Sequence, residues 1–323
     1  MGKLFNIGSE QNYREQMKVG RKQPCKIVHD IRSKTSPTAP MRSSLLLHLG
    51  VLAVTLLFGP VIARSQQPVT KASPVKPGER GVLKFEKSPP QSEEGQIRMR
   101  FHASDPIPAY DVTKEEFDVL VPRGYQPSVR YGLFIWISAG KTTALPADWE
   151  SVLAEKKLIL IAARNSGNPR SIFDRFRMAV DANVNARELW NVDGRRVYVS
   201  GFSGGSRVAS ELGVAFAEMF SGTACFMGVN FYDETVGTDG KKYSLDYIPD
   251  DQVLAMAKKF CRYAMVTGSK DFNRPNTLGV EQAFRKEGFA NVKVFDVPNQ
   301  AHAPPAAIWL KQVLDYLDEG KAY

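Results

Sequence analysis

Gly201-Phe202-Ser203-Gly204-Gly205 spells G-x-S-x-G, a serine flanked by glycines two residues before and two after. On its own the pattern would suit a glycine-rich turn between strand and helix, or a phosphate loop at a helix N-terminus. A serine hydroxyl is a poor nucleophile at neutral pH and needs a base within hydrogen-bond reach. The chain has four histidines. His29 and His48 fall in an N-terminal leader. His102 lies in an early strand ahead of the serine and reads as structural. His302, in VPNQAHAPP, follows the last expected strand and precedes the last expected helix. That puts it at the C-terminal edge of a sheet, where sites of parallel α/β folds lie. An acid between serine and histidine completes the chain order Ser…Asp…His. Asp271, in MVTGSKDFNR, sits just past a buried strand. It would hold the imidazole tautomer and stabilise its charged form, or else cap the helix after Pro275. Asp233 is the second choice for the acid, and Asp296, inside a strand pattern, a weaker one.

The elements that must position these residues are legible from periodicity. Residues 131–138, YGLFIWIS, and 157–163, KLILIAA, are apolar runs that suit strands buried on both faces. Residues 196–201 lead as a strand into the serine, and 205–220 place Val208, Leu212, Ala215, Phe216 and Met219 on one helical face. Residues 172–190, 275–286 and 305–317 read as further helices. Residues 223–229, 263–267 and 292–297 read as further strands. Before these, VLKFE, IRMRFHA and the alternating 116–121 read as strands of an antiparallel edge. The alternation of strand and helix predicts an α/β fold: one domain over 82–323, with a mostly parallel sheet and helices on both faces.

Ahead of the domain, 66–81 is Pro-rich and polar and reads as a linker. The uncharged run at 45–62, with Arg42 before it and Ala63-Arg64-Ser65 after it, has the pattern of a signal peptide cut after Ala63 or Ser65. Residues 1–65 form the leader, and Met41 suits the true start. The rival reading is a retained membrane anchor over 45–62, a run almost long enough to span a bilayer. The net charge of +9 belongs mostly to this leader. Up to Ser65 there are ten Lys and Arg against three Asp and Glu; the rest carries 33 against 31. No dense basic face points to nucleic acid. Cys225 and Cys261 would remain after cleavage, either as a disulfide permitted by export or as buried thiols. No CxxC or Cys/His cluster suggests a metal, and no cofactor is expected.

With these residues in view, the chain resembles the α/β-hydrolase superfamily, in the branch of secreted esterases and polyhydroxybutyrate-depolymerase-like proteins. The matching stretches are FDVLVPRGYQPSVRYGLFIWISAG, RRVYVSGFSGG, VTGSKDFNR and the loop with His302. The resemblance implies an eight-stranded sheet, acyl transfer through an acyl-enzyme, and Ser203, Asp271 and His302 as its triad. One departure matters. Many members carry His-Gly after the strand that ends here at Ile137, where this chain reads Ser138-Ala139-Gly140-Lys141. The oxyanion hole would use the backbone N–H of Gly204 with that of Ala139 or Gly140. Asn165 and Ser166 either line the site or serve turn chemistry. The segment 230–249, with Phe231, Tyr232, Tyr243 and Tyr247, either faces substrate or packs its rings on the sheet.

The function expected is hydrolysis of a small-molecule or polymeric carboxylic ester. A peptidase or acyltransferase on the same triad, and a binding protein on a hydrolase scaffold, are the rivals.

Overall fold

The computed structural model describes residues 72–104, 106–243, 245 and 247–323, which belong to one compact unit. The leader, its start and the segment 45–62 lie outside the described residues. Among the described residues no helix is long and apolar enough to cross a membrane.

The strands of the main sheet are β1 (Arg80–Leu83), β2 (Phe117–Leu120), β3 (Tyr131–Ile137), β4 (Leu158–Ala163), β5 (Val192–Phe202), β6 (Gly222–Phe226), β9 (Arg262–Gly268) and β10 (Val292–Val297). A short hairpin of β7 (Thr235–Val236) and β8 (Lys242–Tyr243) stands apart from it. The sheet order is β1-β2-β4-β3-β5-β6-β9-β10, and β2 alone runs against its neighbours β1 and β4. The helices are α1 (Glu94–Arg100), α2 (Trp149–Glu155), α3 (Ile172–Leu189), α4 (Gly204–Ala215), α5 (Asp251–Phe260), α6 (Arg274–Lys286) and α7 (Ala307–Asp318).

Alternation along the buried strands sorts the core into two layers. Leu133, Ile135 and Ile137 of β3 face Phe176 of α3, Val208 and Leu212 of α4 and Phe284 of α6 within one apolar cluster. Phe134 and Trp136 face the other way, with Trp149 of α2 and Leu310, Val313 and Leu314 of α7. Both faces are covered, which is why β3 and β4 read as continuous apolar runs. Chain direction reverses across the sheet between β3 and β5: the chain steps from β3 to β4 on one side, then returns to β5 on the other. Such a switch point opens a crevice at the C-terminal ends of the strands. Eight strands in this order, one of them antiparallel, with helices on both faces, make the α/β-hydrolase fold.

Two expectations are corrected here, and one open choice is decided. IRMRFHA is not a strand: Glu94–Arg100 is helical, with Ile97 and Phe101 buried one turn apart and Met99 59% exposed. The ring of Phe101 stacks on Phe176 of α3 at 3.9 Å. The expected linker is partly docked. Val75 is buried, Gly78 N–H donates to Val121 O at 2.8 Å, and Trp190 Nε1 donates to Ser73 Oγ at 3.0 Å, so residues ahead of Val82 already pack on the domain. Cys225 and Cys261 are buried free thiols, which burial pushes up to about 12.

Candidate active site

The serine is set by the crossing of β5 and α4. Ser203 has φ +54° and ψ −118°, a conformation an L-residue adopts only where its surroundings enforce it. Its neighbours explain how. A Cβ on Gly201 would meet the Gly205 carbonyl carbon at 2.4 Å, and one on Gly205 would meet Ile137 O at 2.0 Å. Strand and helix cross too closely for any side chain at either position. Ser203 N–H donates to Phe226 O at 2.8 Å, which ties the turn to β6. The hydroxyl is thereby held above the sheet at the switch point.

His302 lies in the loop between β10 and α7. Its Nε2 is 2.9 Å from Ser203 Oγ, and its Nδ1 is 2.8 Å from Asp271 Oδ1. The partners assign the proton: Nδ1–H donates to the carboxylate and Nε2 accepts from the hydroxyl. Asp271 follows β9 and has a fully enclosed side chain. It also accepts from Asn273 N–H at 3.1 Å and from Thr267 Oγ1 at 3.0 Å, so the carboxylate is fixed from three directions. The two loops are laced together: Ser269 N–H donates to Val297 O, Lys270 N–H to Gln300 O, and Asn299 N–H to Ser269 Oγ. Trp149 Nε1 donates to Pro305 O at 2.9 Å and anchors the far side of the histidine loop on α2. The other two candidate acids are placed elsewhere. Asp233 is exposed, and Asp296 pairs with Arg274 at 2.7 Å.

The loop after β3 forms the opposite wall. Ser138 O accepts from Nη2 of the buried Arg175 on α3 at 3.0 Å. Gly140 N–H donates to Ser138 Oγ at 3.1 Å, so that amide already has a partner. Ala139 N–H has no acceptor among the described residues, and Ala139 O accepts from Asn168 N–H at 3.0 Å. Gly204 is the first residue of α4, so its N–H has no acceptor within the helix. A hydroxyl backed by an oriented imidazole, beside two unsatisfied backbone donors, can attack a carbonyl and stabilise the resulting oxyanion.

Other sequence candidates fall differently. Asn165 is an exposed turn residue with φ +54°, and Ser166 is buried beneath the loop. Phe231 and Tyr232 are buried in the core, with Phe231 5.2 Å from Phe284 and Tyr232 6.2 Å from Phe289 between ring centroids. They do not face the crevice, because the start of that segment serves as packing beneath α6. His102 is exposed, with φ +48°.

The rings at His302 are Phe202, 5.0 Å away, and Phe272, 4.2 Å away and 51% exposed. Sequence reasoning did not single out Phe272, Arg175 or Asn168. Phe272 adjoins Asp271, a signal that was present; the other two act from loops and faces that no short motif marks. Among the described residues no group of three His, Cys, Asp or Glu side chains is placed to hold a metal ion.

Scanned against models of protein families and against curated proteins, the sequence matches none. Among solved structures it is similar to Est1E from Butyrivibrio proteoclasticus, at 17% identity over 64% of this chain and 92% of that one, with a TM-score of 0.44. It is similar to Thermogutta terrifontis esterase 2 phosphonylated by cyclosarin, at 14% identity over 67% and 90% of the two chains, TM-score 0.45. It is also similar to the feruloyl esterase module from Clostridium thermocellum complexed with sinapinate, at 14% identity over 63% and 82%, TM-score 0.45.

Proposed function

We propose that the protein is a serine hydrolase that cleaves carboxylic esters through an acyl-enzyme on Ser203. What carries this reading is one observation: the unbroken run from Ser203 Oγ to His302 at 2.9 Å and on to Asp271 at 2.8 Å. Ser203 Oγ attacks the ester carbonyl while His302 Nε2 takes the hydroxyl proton. The carbonyl π pair moves to oxygen, where Gly204 N–H and Ala139 N–H receive it. His302 then protonates the leaving alcohol, and water repeats the sequence on the acyl-enzyme. Gly140, whose amide is held by Ser138, shapes the loop rather than donating. The exposed ring of Phe272 stands beside the imidazole and gives it an apolar neighbour.

A fluorophosphonate probe tests the reading. Wild-type protein should become labelled at Ser203 and hydrolyse nitrophenyl acetate; Ser203→Ala should do neither. Absence of wild-type labelling and turnover overturns it. The same reading takes the chain as exported, on the uncharged run 45–62 and the small residues after it. A mature N-terminus after Ala63 or Ser65 is the expected mass, and a retained leader would contradict cleavage.

A further inference from the structure

The strand–helix crossing requires glycine at 201 and 205, and leaves 204 unconstrained. Position 204 is nevertheless glycine. The reason lies in the loop after β4. The place of a Cβ on Gly204 is taken by the Asn168 carboxamide, with Oδ1 at 2.1 Å, Cγ at 2.7 Å and Nδ2 at 2.8 Å from it. Asn168 is held there by its own backbone, whose N–H donates to Ala139 O at 3.0 Å. One residue thus touches both sides of the oxyanion hole: its main chain fixes Ala139, and its side chain lies against Gly204. Yet this carboxamide makes no hydrogen bond to protein, and Oδ1 is buried without a partner. A buried amide group left unmatched costs stability, so its retention beside a reacting centre calls for a partner that arrives later.

We propose that Asn168 is a catalytic residue, donating an Nδ2–H to the oxyanion formed on attack by Ser203, as a third donor beside Gly204 and Ala139. This rests on the ester-hydrolase reading. A half-turn about the Cβ–Cγ bond exchanges the amide oxygen and nitrogen without moving the rest of the side chain. As placed, neither amide atom has a protein partner in the resting enzyme, and the oxyanion supplies an acceptor for the nitrogen. The group is neutral and gives up no proton: the Oγ–C bond forms, the π pair goes to oxygen, and the hydroxyl proton goes to His302. A donor fixed in place before the reaction gains most from the charge that appears only during it.

The test uses the whole protein with nitrophenyl acetate and a trifluoromethyl ketone, which adds to the serine and mimics the oxyanion. Asn168→Ala should lower kcat by about 10²- to 10³-fold, the loss typical of one oxyanion donor, with KM changed little. Asn168→Asp, which has the same shape but no donor, should lose at least as much. Inhibition by the ketone should weaken in parallel in both variants, which a loss of loop packing alone would not produce. If Asn168→Ala fails to fold, Asn168→Asp supplies the answer. Retention of near wild-type kcat by Asn168→Asp, or by a folded Asn168→Ala, overturns the inference while leaving the triad intact. Wild-type protein that neither labels with a fluorophosphonate nor turns over the ester overturns both.

Discussion

At the residue scale the elbow shows how little freedom the neighbours of Ser203 retain. Ser203 holds a positive φ because three glycines let backbone and side chains approach where a methyl would collide. The Gly204 contact makes a separable prediction about packing. A methyl at 204 meets the Asn168 amide, and the elbow cannot retreat because Gly201 and Gly205 already touch backbone. Gly204→Ala should therefore lose about 1–3 kcal/mol, the range for overpacking a tight site. Removing the amide as well, in Gly204→Ala/Asn168→Ala, should restore much of that stability. A double-mutant cycle by urea unfolding reads the coupling between the two positions, expected at about 1–2 kcal/mol. Additive effects would show that the amide and the glycine do not compete for one space.

At the scale of elements, α3 ties the early chain to the main sheet. Asp181 on its buried face accepts hydrogen bonds from Ser92 Oγ and Tyr110 Oη at 2.6 Å and from Ser88 Oγ at 3.2 Å. Burial raises its carboxyl to about 6, although these donors and Arg177 pull it down. The folded state therefore binds a proton that the unfolded chain does not, between its ordinary 3.8 and about 6. Lowering the pH through that window should stabilise the protein, by at most about 3 kcal/mol from this group. Asp181→Asn should lack that gain; thermal unfolding of both proteins between pH 7 and roughly pH 4.5 measures the difference. The same region marks where the sequence is hardest to read. In IRMRFHA, Ile97, Met99 and Phe101 fit a period of two, while Ile97 and Phe101 alone fit a helical turn. Only the packing on Phe176, with Met99 left in solvent, decides for the helix. The central strands gave no such ambiguity, because burial on both faces leaves unbroken apolar runs in β3 and β4. The hydroxyl, imidazole and carboxylate were legible from their chain order and from strand ends. Asn168 and Arg175 were not, since each matters through a contact with a loop distant in sequence. Phe231 and Tyr232 stayed ambiguous for a related reason: an aromatic ring in a connection between strands suits a pocket or a core equally until the neighbouring helix is known.

On the scale of the whole molecule, the sheet separates a buried ionic anchor at one end from the proposed site at the other. Arg196, fully enclosed near the start of β5, makes two hydrogen bonds to Asp318 at the end of α7, at 2.7 and 2.9 Å. Tyr198 Oη donates to the same carboxylate, and the Tyr323 ring lies 3.5 Å from the guanidinium carbon. Burial also lowers the Lys321 ammonium to about 8, against the pull of Asp318. Asp318 is thus the counter-charge for the buried Arg196, and it also attracts the half-buried Lys321. Breaking a buried pair from one side leaves a charge without compensation, which costs about 3–5 kcal/mol. Asp318→Ala should lose stability of that order by urea unfolding. A rise of seven residue steps, roughly 23 Å, separates Arg196 from Ser203. Ser203, His302 and Asp271 are held instead by their own loops, by Trp149 and by the elbow. Turnover per folded molecule, assayed well below the lowered midpoint and normalised by fluorophosphonate labelling, should therefore stay near the wild-type value. A fall in kcat matching the fall in stability would mean that the far end of the sheet sets the geometry of the site.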